Sequence, residues 1–126
     1  MGKYTHVEGN NNLSRGNWYN HLEGEYNTSN GDFNHIQGQH NTNDGSYNHI
    51  IGKYNNINDS NSYVIGENLE INSNYGSTQF ILGRYNEDTP NTFFTIGNGS
   101  SNDRKNALIL DYQNNLQVAG TILNTE

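Results

Sequence analysis

Residues 33–52 read FNHIQGQHNTNDGSYNHIIG, and the string Phe33-Asn-His-Ile-Gln37 before Gly38 returns 14 residues later as Tyr47-Asn-His-Ile-Ile51 before Gly52. Working outward, the same glycine recurs at Gly9, Gly24, Gly38, Gly52, Gly66, Gly83 and Gly97, at intervals of 15, 14, 14, 14, 17 and 14. A fixed period of this kind marks a chain built by stacking copies of one small unit. The three extra residues of the long interval are most simply placed at Asn74, Tyr75 and Gly76. A second turn position follows seven residues after each glycine, at Gly16, Gly31, Gly45, Asp59, Ser73 and Pro90. All are turn-forming residue types.

The five residues before each glycine carry the strand signal. Tyr4-Thr-His-Val-Glu8, Tyr19-Asn-His-Leu-Glu23 and the two copies above lead to Asn61-Ser-Tyr-Val-Ile65, Thr78-Gln-Phe-Ile-Leu82 and Thr92-Phe-Phe-Thr-Ile96. Aromatic and β-branched residues bounded by Gly and Asn predict strands that stop at the glycine. The density of Gly and Asn excludes helix. Two turns in 14 residues mean two short strands per coil, stacked in parallel at about 4.8 Å per coil, so seven coils make a rod on the order of 35 Å long.

Composition agrees with a repeat. Only 30% of the 126 residues are hydrophobic, and the mean hydropathy is −0.98. Such a chain is either disordered or buries its few apolar residues against copies of its own unit. Nine Tyr, four Phe and a single Pro argue for order. A net charge of −7 with six scattered basic residues disfavours nucleic acid as a partner. There is no cysteine for a disulfide or a thiolate zinc site. No apolar run approaches a membrane span, and Met1-Gly2-Lys3-Tyr4 opens no signal peptide.

Side chains alternate between two faces of a strand. One face carries the column two before the glycine: Val7, Leu22, Ile36, Ile50, Val64 and Ile81, broken only by Thr95. This column is assigned to burial, at the face where chains of an assembly would be held together. The other face carries residues five, three and one before the glycine, such as Tyr47, His49 and Ile51. Apolar groups on both faces require burial of both. A thin rod covers only one, so self-association is expected. Three residues after the glycine, Asn12, Asn27, Asn41, Asn55 and Asn86 form a polar column interrupted by Leu69. Stacked Asn side chains can bond from coil to coil.

His6, His21, His35 and His49 hold one position in four successive coils, two residues before Glu8, Glu23, Gln37 and Ile51. Imidazole beside carboxylate is metal-ligand chemistry. The same repetition also reads as a structural ladder of hydrogen bonds. The structural reading is preferred, and no metal or other cofactor is expected. In later coils that face carries Tyr63 and Ile65, Phe80 and Leu82, and Phe94 and Ile96, which predicts a polar interior layer near the N-terminus and an apolar one near the C-terminus. His40 belongs to another column, with Tyr26, Tyr54 and Tyr85, and is expected to be exposed. Trp18, Tyr26, Tyr54 and Tyr85 are candidate glycan contacts, since aromatic rings stack on sugars. The carboxylates Asp32, Asp44, Asp59, Glu67, Glu70, Glu87 and Asp88 are dispersed, mostly in turns. No paired acid, nucleophile motif or phosphate loop appears, and no enzyme is expected.

The string YNHIIGKYNNINDSNSYVIGENLEI resembles the head repeats of trimeric autotransporter adhesins of the YadA type. THVEG and NHLEG are more similar to the His-x-Glu-Gly repeats of phage tail fibres and pre-neck appendages. FTIGNGSSNDRKNALILDYQNNLQVAGTI also resembles phage fibre sequences, in which such a hairpin precedes a self-cleaving chaperone domain; here the chain stops at Glu126, about where that domain would begin. The phage repeats often carry a small residue where this chain has Val, Leu or Ile.

The resemblance implies an all-β protein: a trimeric parallel β-roll, or β-helix solenoid, of 14-residue coils over residues 1–97, with a C-terminal β-hairpin segment over 98–126. It further implies a homotrimer located in the virion. Its partners would be other tail or appendage proteins and a host-surface glycan, with no membrane insertion. The alternative is an adhesin head on a bacterial surface.

Overall fold

Parallel stacking of a 14-residue unit brings each residue beside its counterpart in the next coil, and that is the architecture in a computed structural model of the chain. It describes residues 3–72 and 78–123. The turn at Ser73 and the insertion at Asn74, Tyr75 and Gly76 lie outside them. The fold is a parallel β-solenoid of about six coils of about 14 residues, with no helix among the described residues.

Most coils supply one long and one short strand: β1 (His6–Asn10) and β2 (Leu13–Ser14), β3 (His21–Glu25) and β4 (Thr28–Ser29), β5 (His35–Gln39) and β6 (Thr42–Asn43), β7 (His49–Lys53) and β8 (Asn56–Ile57), β9 (Ser62–Glu67) and β10 (Glu70–Ile71). β11 (Gln79–Arg84), β12 (Thr92–Asn98), β13 (Asn106–Asp111) and β14 (Leu116–Val118) complete the order. The long strands form one sheet, β1-β3-β5-β7-β9-β11-β12-β13-β14, and the short ones a second, β10-β8-β6-β4-β2. Among the described residues seven long rungs pair in parallel, and no short strand follows β11 or β12. β13 pairs antiparallel with β12, and β14 antiparallel with β13.

The glycine is not the turn that the repeat predicts. It lies inside the long strand, paired with the next glycine from Gly9↔Gly24 to Gly83↔Gly97, and the long interval keeps the register at Gly66↔Gly83. From Gly9 to Gly83 its φ ranges from 100° to 149°, a region that only glycine enters freely. The chain bends instead at the positions five before and two after the glycine. There Tyr19, Phe33 and Tyr47, and Tyr26, His40 and Tyr54, adopt positive φ. The first four long strands therefore start two residues later than expected, β9 and β11 one later and β12 where expected, and all run through the glycine.

The column two before the glycine faces the coil interior. Leu22, Ile36, Ile50 and Val64 are fully buried and Ile81 nearly so, but Val7, expected to be buried with them, is exposed because no coil precedes its own. Full burial of such a side chain is worth about 1.5–3 kcal/mol. Opposite them the short sheet contributes Ile57 and Ile71, with Leu69 beside it. Nearer the N-terminus the inward positions of that sheet are Ser29 and Asn43. The His and Glu positions expected to line the interior point outward, because the alternate positions already fill the coil.

Two asparagine ladders hold the polar part of the core. Asn27, Asn41 and Asn55 each donate from the side-chain amide to the Oδ1 of the preceding Asn, at 3.0, 3.0 and 2.9 Å. The same amides donate to the carbonyls of Gly38, Gly52 and Gly66 at 2.8, 2.9 and 3.0 Å. At Leu69 only the backbone N–H continues the ladder, donating to Asn55 Oδ1 at 2.9 Å. The second ladder, Asn20, Asn34 and Asn48, accepts the backbone N–H of Asn34, Asn48 and Ser62 at 2.9, 2.9 and 2.8 Å. Where the first ladder gives way, Arg104 donates to the carbonyls of Asn68 and Asn86, at 2.8 and 3.3 Å, and lies 3.4 Å from Glu70.

Asn41→Ala removes a donor to the Gly52 carbonyl and the acceptor of both the Asn55 side-chain amide and its backbone N–H. Each buried polar group left unpaired costs about 1–3 kcal/mol. Urea denaturation should therefore show a loss of about 2–4 kcal/mol, against about 0.5 kcal/mol or less for the exposed Glu25→Ala.

Candidate functional site

Among the described residues nothing covers the outward face of the long sheet. Its first column is a stack of rings. His6, His21, His35 and His49 follow one another with centroids 4.8, 4.8 and 4.7 Å apart. Tyr63, Phe80 and Phe94 continue the line at 5.8, 5.9 and 5.6 Å. The antiparallel register extends it through Leu110 and Leu116. Beside it runs Glu8, Glu23, Gln37, Ile51, Ile65, Leu82 and Ile96, extended through Leu108 and Val118.

The face is thus polar in its first three coils and apolar from Ile51 onward. Tyr63 is 49% exposed, Ile65 38% and Leu116 60%, while Phe80, Leu82, Phe94 and Ile96 are half-buried. A groove of about 860 Å³ follows the track of Gly38, Gly52, Gly66, Gly83 and Gly97, lined further by Gln39, Lys53, Glu67, Arg84 and Asn98.

Electrostatics divide the histidines. Glu8 lies 3.3 Å from His6 Nε2 and Glu23 3.8 Å from His21 Nε2. The equivalent neighbours of His35 and His49 are Gln37 and Ile51, which carry no charge. Burial lowers the pKa of His35 below its ordinary value; His49 and His21 lower it further, against an opposing pull from Glu23. The four imidazoles stand in a line, one per coil, and no group of three or more His, Asp or Glu side chains converges on a metal-sized site among the described residues.

The four aromatics singled out for glycan contact do not form one site. Trp18 lies at the end where the long strands begin, stacked beside Tyr19 at 6.3 Å with the Lys3 ammonium 5.3 Å from its ring. Tyr26 and Tyr54 lie at the other end, stacked through exposed His40 at 4.9 Å on each side and within 4° of parallel. Tyr85 faces the Arg104 guanidinium at 5.5 Å. In the Tyr26–His40–Tyr54 stack the ring faces cover one another, so edges and hydroxyls point to solvent.

A further ladder, Tyr4, Tyr19, Phe33 and Tyr47, stacks at 5.0, 5.4 and 4.8 Å. Between it and the histidines runs a groove of about 590 Å³, whose lining includes Asn34 and Asn48. Its signal in the sequence is the aromatic residue five before the glycine, which reads as the first residue of a strand. Comparison with protein-family models, with curated proteins and with solved structures finds no match to this chain.

Proposed function

We propose that this chain is a structural and attachment segment of a phage tail fibre or appendage, working as a homotrimeric β-rod in the virion. The observation that carries the proposal is the uncovered apolar stripe on the outward face from Ile51 to Val118. A monomeric soluble protein rarely exposes a contiguous apolar surface of that extent. Copies that bring their stripes together around a common axis bury it and make a stiff shaft. The antiparallel β13–β14 pair is the C-terminal hairpin of this reading. The partners are further copies of the chain, other tail or appendage proteins and a host-surface glycan. This reading assigns the chain no catalytic role.

The test is to place a charge on the stripe. Leu82→Lys and Ile96→Lys point away from the coil interior, so each chain should fold with an unchanged circular dichroism spectrum. Their burial between copies would cost several kcal/mol for each ammonium. Sedimentation should show wild type as an assembly and both variants as single chains. Variants that sediment like wild type would remove this face from the interface. Attachment itself is tested on a glycan array, where the wild-type assembly is expected to retain a defined host-surface sugar.

A further inference from the structure

The imidazole column stands on the face that the proposed assembly buries, and any role for it between copies rests on that reading. Stacked at 4.7–4.8 Å, the four rings are close enough to repel strongly once charged. Carboxylates stand beside His6 and His21 but not beside His35 and His49. Beyond His49 the column continues with Tyr63, Phe80 and Phe94, whose side chains hold no basic nitrogen. We infer that the face is an acid-released clasp: as histidine protonates, the coils of β5 and β7 part between copies, while the apolar C-terminal half keeps the copies joined.

The groups that face these two histidines are few. Glu23 on β3 lies one coil from His35, and Glu8 on β1 lies two coils away. Tyr19 and Tyr47 line the adjoining groove and Tyr63 on β9 follows in the stack. Lys53 and Glu67, across the glycine track, neutralise each other at 3.3 Å. Burial and the neighbouring imidazoles hold the folded pKa of His35 below the unfolded value near 6.5. A group lowered in this way leaves stability intact above that value. Stability is then lost as pH falls through about 6.5 toward the lowered folded pKa.

Spin labels on the full chain read the opening directly. Gln39→Cys and Asn98→Cys place a label in the same exposed column, at the levels of β5 and β12. Between about pH 7.5 and pH 5, which spans the histidine range, the inter-copy distance at Gln39 should lose its short peak and shift longer. The distance at Asn98 should stay unchanged. In a His35→Gln/His49→Gln background the short Gln39 distance should persist in acid.

No shift at Gln39, an equal shift at both sites, or the same acid response in the double variant would overturn the inference. Should the double variant not fold, nuclear magnetic resonance titration of wild-type His35 decides, and a folded pKa at or above 6.5 overturns it. Native mass separates the two readings. A single chain at neutral pH defeats the assembly and the clasp together, whereas an assembly without the acid shift defeats only the clasp.

Discussion

Ile50→Asp should yield no folded protein. Ile50 is fully buried inside the coil, with Ile36 and Val64 as its partners in the adjoining rungs. A carboxylate there has no counter-charge among the buried residues of the apolar cluster, which are all aliphatic. Removing it from water without a partner costs several kcal/mol, comparable with the roughly 5–15 kcal/mol that stabilises a whole domain. Because the column lies within each chain and not between chains, the failure is one of folding and precedes any assembly. Ile50→Val, which removes one methylene, should cost only about 0.5–1.5 kcal/mol and leave a cooperative melt. A normal melt for Ile50→Asp would place this column on the wrong face.

Gly52→Ala is the second large effect. Gly52 has φ of 135°, which an L-residue reaches only under strain, and a Cβ there would stand 1.8 Å from the carbonyl oxygen of Gly66. That oxygen is backbone held in the sheet, so it cannot swing aside. The backbone conformation alone costs about 1–3 kcal/mol, and relief of the clash breaks the rung between β7 and β9. Thermal denaturation should show a loss of about 3–5 kcal/mol, at the upper end for a single substitution. Gly120→Ala is the control. Its φ is also positive, at 112°, but nothing stands within 4 Å of the added methyl, so only the backbone term remains.

The period alone made the stacking legible. Once Gly24, Gly38, Gly52 and Gly66 repeat at 14, parallel pairing places Leu22 on Ile36, Ile50 and Val64, as observed. The Asn27, Asn41, Asn55 column followed from the same spacing, and its bonds run from coil to coil.

The strand limits did not follow, because they depend on backbone angles that residue type conceals. Tyr19, Phe33 and Tyr47 occupy φ of 47°, 59° and 61°. An L-residue pays about 1–2 kcal/mol for the left-handed region, so Gly or Asn is the natural expectation at such a bend. Here each ring stacks on the next coil's ring, and aromatic pairs are worth about 0.5–1.5 kcal/mol each. That contact offsets the backbone strain and makes a tyrosine serve as a turn residue.

The second asparagine ladder was hidden for a related reason. Asn34 and Asn48 sit between an aromatic residue and a histidine, where the local string reads as strand. Only the bend before them turns their side chains into the core.

The histidine column was legible as a column but not as a surface. Alternation shows that two faces exist; which of them the second sheet closes over depends on where the chain turns. The structure places His35 and Phe80 outside and Ile36 and Ile81 inside. The outward stripe therefore becomes the surface available to another chain, and the central proposal rests on its being covered.

The mass of the native particle tests that proposal most directly. Native mass spectrometry of the purified full chain should give a single species of three copies, each of 14.2 kDa. A stable single chain at micromolar concentration would contradict the account, because the Ile51-to-Val118 stripe would then stand in water without a partner.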